Sequence, residues 1–390
     1  MKEIMKKQKG ITLVALIITI VVLMILAAVS INSITNEGII SKAEGVKDKY
    51  EQEQMKEQGM LEYYEELLSG PITVKDAQAK GEPLSTTKNT NVYDEYGNKI
   101  VLPAGFKITT DADTVEEGIV IEDCTEKATK GSQFVWIPIG KVNSSKGTKT
   151  ITLGRYSNFT ATNGVYTPVQ PNANNPYTSN VEIKRDSYNY TEYQSGSTSA
   201  IARNINDFYE SVMGTESKDG NGGYYIGRYE AGKSGNTDVT LVCKANQDPY
   251  VGKILSASSR LCQNMYEDGY SNGIFSSDLT NSYAWDTAIV FIQTFGKESN
   301  SATYASESGD SIDTRDPKLT GVNILKSTST VDKQLNIYDM AGNCREWLTE
   351  TCSRTGNPCT YVSGENDRGS LNGGNGATSL AFRPILYIGL

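Results

Sequence analysis

The sequence predicts an α+β protein with a long N-terminal membrane-spanning helix, a small β-rich connector and an irregular domain with long loops. Three observations lead there. Ile11 to Ile31 carry no charge; turn residues and short β-prone runs alternate from about residue 92; and the stretch from Lys146 to Ser217 is rich in Thr, Ser, Asn, Tyr and Gly without sustained periodicity. At 390 residues and 38% apolar content, the chain is long enough for two or three folded units.

The ends of the apolar run fix its orientation. Lys2, Lys6, Lys7 and Lys9 precede it, and 21 uncharged residues at roughly 1.5 Å per residue reach across a hydrocarbon core of about 30 Å. The positive-inside rule keeps the first residues in the cytoplasm and sends residues 32 to 390 outward, as a single-pass protein of the cell membrane. From Ser41 to Leu68, Val46, Tyr50, Met60, Leu61, Tyr64 and Leu68 lie on a charged background. This pattern predicts a stalk helix continuing the anchor, bent near Asn36-Glu37-Gly38 and stopped at Ser69-Gly70-Pro71.

Past that stop, residues 71 to 130 read as the connector. Glu95-Tyr96-Gly97-Asn98 forms the turn of a small hairpin within it. Phe134 to Pro138 (FVWIP) is an apolar strand that opens the larger domain, residues 131 to 390. Gly223 to Glu230 (GYYIGRYE) alternates like a strand. Ala284, Trp285, Ala288, Ile289 and Ile292 fall on one helix face. Asp339-Met340-Ala341-Gly342-Asn343 is turn chemistry leading into a Trp-anchored segment, and a glycine-rich run then ends in a final strand.

Composition removes whole classes of mechanism. Histidine is absent, so no imidazole base, metal ligand or near-neutral switch exists. A net charge of −9 argues against a nucleic-acid surface. Six cysteines, Cys124, Cys243, Cys262, Cys344, Cys352 and Cys359, contain no CxxC pair, and the sequence leaves open whether they pair or stay as buried thiols. The 23 tyrosines, with abundant Asn, Ser and Gly, suit recognition loops and ordinary extracellular β-rich surfaces alike.

The basic leader ending in Gly10, with Ile11, Thr12, Leu13 and a long apolar helix after it, resembles the cleavage and methylation segment of type IV prepilins and pseudopilins. That resemblance implies a leader at 1 to 10, cleavage between Gly10 and Ile11 by a prepilin peptidase, a transmembrane and stalk helix at 11 to 70, and other pilin-like subunits as partners. The family carries a glutamate five residues after the cut, where this chain has Ala15.

FVWIP, YYIGRYE, NIYDMAGNCREW, and RGS followed by LAFRP occur in the order found in the formylglycine-generating-enzyme, or sulfatase-modifying-factor, family. The resemblance implies a C-type-lectin-like fold over residues 131 to 390. It also implies calcium on Asn343 and Glu346; the alternative is that Asn343 orders the turn and Glu346 hydrogen-bonds locally. Oxygen-using members bind copper through a C-x4-C pair between the RGGS and FR elements, whereas Gly369 to Phe382 contains no cysteine. No copper and no oxidase activity are therefore expected, and Cys344, Cys352 and Cys359 are left to a disulfide or to burial. Loops near the carboxyl end vary in some members of the family, which makes Tyr361, Asn366, Asn372 and Asn375 candidates for contacting an extracellular protein or glycan. The sequence thus reads as a pilin-like surface protein displaying a non-catalytic binding domain. The alternatives are a minor pilin with an assembly role and an enzyme of the formylglycine-generating family.

Overall fold

The computed structural model describes residues 18–26, 70–156, 161–168, 205–235, 240–253, 255–296, 333–340, 344–351, 358–361, 369–370 and 380–389. The chain divides after Gly70 into two units, Met1–Gly70 and Pro71–Leu390. In the first, residues 18–26 are helical, and every large apolar side chain from Ile18 to Leu26 is exposed. Among the described residues no helix is long and apolar enough to cross a membrane. Gly10, Ile11, the rest of the apolar run and the expected stalk lie outside the described residues.

The second unit opens with α1 (Val74–Lys80), which has signals at both ends. The Thr73 hydroxyl accepts from the Asp76 N–H at 3.1 Å while the Asp76 carboxylate accepts from the Thr73 N–H at 3.0 Å, and left-handed Gly81 ends the helix. β1 (Thr90–Tyr93) and β2 (Lys99–Leu102) form the antiparallel hairpin. Asp94 builds its turn by accepting from the N–H groups of Tyr96 and Asn98 at 3.0 and 2.8 Å.

β3 (Phe106–Ile108) and β4 (Val120–Asp123) follow, then β5 (Gln133–Pro138) and a small hairpin of β6 (Gly140–Val142) and β7 (Lys149–Ile151). After α2 (Ile205–Met213) come β8 (Gly223–Gly227), the paired β9 (Gly232–Lys233) and β10 (Leu241–Val242), α3 (Leu255–Asn264), α4 (Glu267–Ser271), β11 (Phe275–Leu279) and α5 (Ser282–Phe295). Last are the hairpin β12 (Lys333–Gln334) and β13 (Ile337–Tyr338), then β14 (Arg345–Thr351), β15 (Pro358–Tyr361), β16 (Gly369–Ser370), β17 (Leu380–Phe382) and β18 (Pro384–Ile388).

Six of these strands form one antiparallel sheet in the order β11-β18-β8-β5-β4-β3. That order runs across the expected boundary near residue 130. β3 and β4, assigned to a separate connector, continue the sheet of β5 and β8, because Val120, Ile121, Phe106 and Ile108 bury their side chains with Phe134 and Val135 in one core. β8 also departs from the alternating pattern read for it: all five residues are buried, as befits a strand paired on both sides and covered on both faces. α5 carries no single apolar face either, since all of it except half-exposed Thr294 is buried. Its buried Asp286 accepts from the Tyr156 N–H at 2.7 Å, which satisfies polar groups on the face the periodicity leaves polar.

A second sheet has the order β16-β15-β14-β17, and within it β14 and β17 run parallel, with Trp347 opposite Phe382. β17 belongs to this sheet and β18 to the first, and only Arg383 separates them. One residue therefore joins the two sheets.

Candidate functional site

Arg383 is fully buried at that junction. Its Nε donates to Glu346 Oε1 at 2.9 Å, and Nη2 lies 2.9 Å from the same oxygen. Nη1 donates to the Gly227 carbonyl at 2.8 Å and Nη2 to the Tyr338 carbonyl at 2.9 Å. The other Glu346 oxygen accepts from Trp285 Nε1 at 3.1 Å. One ion pair thus ties β8, β13, β14 and α5 to the strand junction. Gly227 is required beside it, because a Cβ there would lie 2.9 Å from Cys243 Sγ and 3.1 Å from Arg383 Cγ. Burial pushes the Glu346 carboxyl up, while Arg383 and Trp285 pull it down.

Glu346, expected to hold calcium together with Asn343, sits in this ion pair. The carboxylate that was to hold a cation already holds a guanidinium, and a second positive ion would meet the charge of Arg383. Among the described residues no cluster of Cys, Asp and Glu is arranged to hold a metal. Asn343 lies outside them, as do Asn366, Asn372 and Asn375; Tyr361 is described only as the β15 residue paired with Glu346, and its side chain lies outside.

Cys124, Cys243, Cys262 and Cys344 are free thiols, the last three of them buried. Cys243 Sγ donates to the Tyr229 carbonyl at 3.0 Å, and burial pushes its pKa from the ordinary 9.0 up to about 12. Burial also raises Cys262 and Cys344, the latter with help from Glu230. A thiol whose folded pKa exceeds its unfolded value contributes stability that is complete below pH 9 and lost as the pH rises toward the folded value. Unfolding free energy is therefore expected to fall by up to about 1.4 kcal/mol per pH unit per thiol above pH 9. Urea titrations at pH 8 to 10 check this, and Cys243→Ala should flatten the slope.

A second polar cluster reaches the surface. Arg228 donates through Nη1 and Nη2 to the two oxygens of Asp111, each at 2.9 Å, and through Nη1 to Gln133 Oε1 at 2.9 Å. Tyr229 and Tyr338 stack with centroids 5.0 Å apart, and the Arg228 guanidinium lies 5.6 and 5.7 Å from them. Lys333 Nζ lies 5.6 Å from the Tyr338 ring. Sequence reasoning missed this cluster. Its residues come from the segment just after β8, the start of β5, the β12–β13 hairpin and the loop after β3, and the nearest local signal was the Arg-Tyr pair inside GYYIGRYE.

Residues 5–31 match the prokaryotic N-terminal methylation motif. No curated protein and no solved structure matches the chain. The amino-terminal segment is therefore type IV prepilin-like, which supports a pilin-like or pseudopilin-like protein. The motif implies processing by a prepilin peptidase, assembly with other pilins, and association with a membrane or a surface filament.

Proposed function

We propose that this chain is a pilin-like, membrane-anchored surface protein whose distal unit is displayed outside the cell as a non-catalytic ligand-binding domain. The methylation motif at residues 5–31 carries the reading, because it supports both membrane association and prepilin-type processing. Lys2, Lys6, Lys7 and Lys9 before the apolar run place the folded unit outside. Ala15, where pilins carry the glutamate that pairs with a neighbouring subunit, favours a minor subunit or a displayed protein over the repeating subunit of a filament.

For the distal unit, the reading is a C-type-lectin-like domain related to sulfatase-modifying factors. Its support is the order of the motifs in the sequence and the adjacency of the strands that carry two of them, FVWIP on β5 and YYIG on β8. The absence of a cysteine pair between Gly369 and Phe382 supports binding over oxidation.

Gly10→Val tests the anchor. The variant is expected to abolish prepilin-type cleavage, read as retention of residues 1–10 by mass spectrometry, while leaving the protein in the membrane fraction. Cleavage of the variant at the same peptide bond, or loss of wild-type protein from membranes, would remove this reading.

A further inference from the structure

We propose that Lys333, Tyr338 and Arg228 form a binding site for the carboxylate of an acidic saccharide. The inference takes from the proposed function only that this unit faces the outside of the cell.

The starting observation is a cation with no direct ion pair among the described residues. Lys333 is half-buried, and among the described residues its ammonium makes no ion pair or hydrogen bond; its one close partner is the Tyr338 ring. The nearest carboxylate cannot serve it fully, because both oxygens of Asp111 are taken by Arg228. Arg228 itself is a second positive charge nearby. Desolvation first, and then the repulsion of Arg228, lower the Lys333 pKa against the partial attraction of Asp111. Arg228 Nε is buried and carries no hydrogen bond. Two cations against one carboxylate leave an excess positive charge in a chain whose net charge is −9.

The occupant follows from this balance. A metal cation is repelled. A single carboxylate matches the excess charge, where a dianion would overshoot it. The buried guanidinium is already fixed by Asp111, Gln133 and the two stacked rings, so it acts on an incoming anion through its charge, and binding orders little beyond Lys333. Half-exposed Tyr338 adds apolar ring surface against which the C–H groups of a sugar pack, which neither a free inorganic anion nor an extended acidic peptide backbone exploits as well. A uronic-acid unit supplies both parts, a carboxylate and a pyranose ring.

The experiment is calorimetry on the full chain in non-ionic detergent, with trigalacturonate as probe and its methyl ester as the uncharged counterpart. The acid is expected to bind at least tenfold more tightly than the ester, and more weakly as salt rises. Lys333→Gln is expected to lower the affinity about tenfold or more, and Lys333→Arg to stay within about threefold. A readout on the unmutated protein guards against misfolding: saturating trigalacturonate should slow acylation of Lys333 by an amine-reactive ester, followed by mass spectrometry. No binding of the acid, equal affinity for acid and ester, unprotected Lys333, or tighter binding of a glutamate hexapeptide would each overturn the assignment. The assay reads binding whether or not Gly10 is processed, so its failure is distinct from failure of the anchor.

Discussion

Arg383→Met is expected to destabilise the unit at residues 71–390 by about 3–5 kcal/mol, the cost of leaving the other half of a buried ion pair uncompensated. The substitution removes the guanidinium from Glu346, which is 2% exposed and among the described residues keeps only the Trp285 N–H as a side-chain partner. It also strips hydrogen bonds from the carbonyls of Gly227 and Tyr338, both held by Arg383 at the sheet junction. Urea unfolding followed by tryptophan fluorescence reads the loss, since Trp136, Trp285 and Trp347 are all buried. The pair's own worth is a separate quantity. Replacing both partners, as Arg383→Met with Glu346→Leu, removes the stranded charge, and the double variant is expected to be more stable than Arg383→Met alone. A double variant no more stable than the single one would show that Arg383 acts through its carbonyl bonds and packing, with the ion pair incidental.

The same pair explains which parts of the fold were legible in the sequence. Phe134 to Pro138 and Ile385 to Ile388 are short apolar runs that can only be buried strands, so their local pattern suffices. The hairpin at Asp94 to Asn98 is written in turn chemistry. Pairing between distant segments is not local, and there the sequence misleads. β3 and β4 look like a separate module because nothing within residues 106 to 123 states that β4 pairs with β5 and so joins the sheet of β8 and β18. The motif resemblance around Glu346 suggests a cation ligand and carries no sign of the ion pair with Arg383, 37 positions away. The Lys333 cluster was invisible for the same reason: Asp111, Arg228 and Tyr338 each read as ordinary until the sheet brings them together.

Gly118→Ala is expected to cost about 2–4 kcal/mol and to carry its effect into the Lys333 site. Gly118 follows the 3-10 turn Val115–Glu117 with φ +85°, a left-handed conformation that costs an alanine roughly 1–2 kcal/mol on its own. Its Cβ would in addition lie 2.1 Å from the Leu335 carbonyl oxygen and 2.8 Å from the carbonyl carbon, so backbone must move. The backbone that moves belongs to the β12–β13 hairpin, whose turn residues Leu335 and Asn336 are themselves left-handed, at φ 46° and 66°. Asn336 Nδ2 fixes that turn by donating to the Gly118 carbonyl at 2.9 Å. Displacing the hairpin shifts Lys333 and Tyr338 relative to Arg228, to which the hairpin is tied by the bond from the Tyr338 N–H to the Arg228 carbonyl at 2.9 Å. Gly97→Ala separates the two causes: Gly97 has φ +78° with open space around its Cβ position, so it should pay only the conformational part. Urea midpoints for the two variants should differ by at least about 1 kcal/mol in stability, and Gly118→Ala alone should change the acylation rate of Lys333. Equal losses in both variants, with Lys333 reactivity unchanged, would mean that the hairpin adapts to the added methyl and that Gly118 does not set the position of the site.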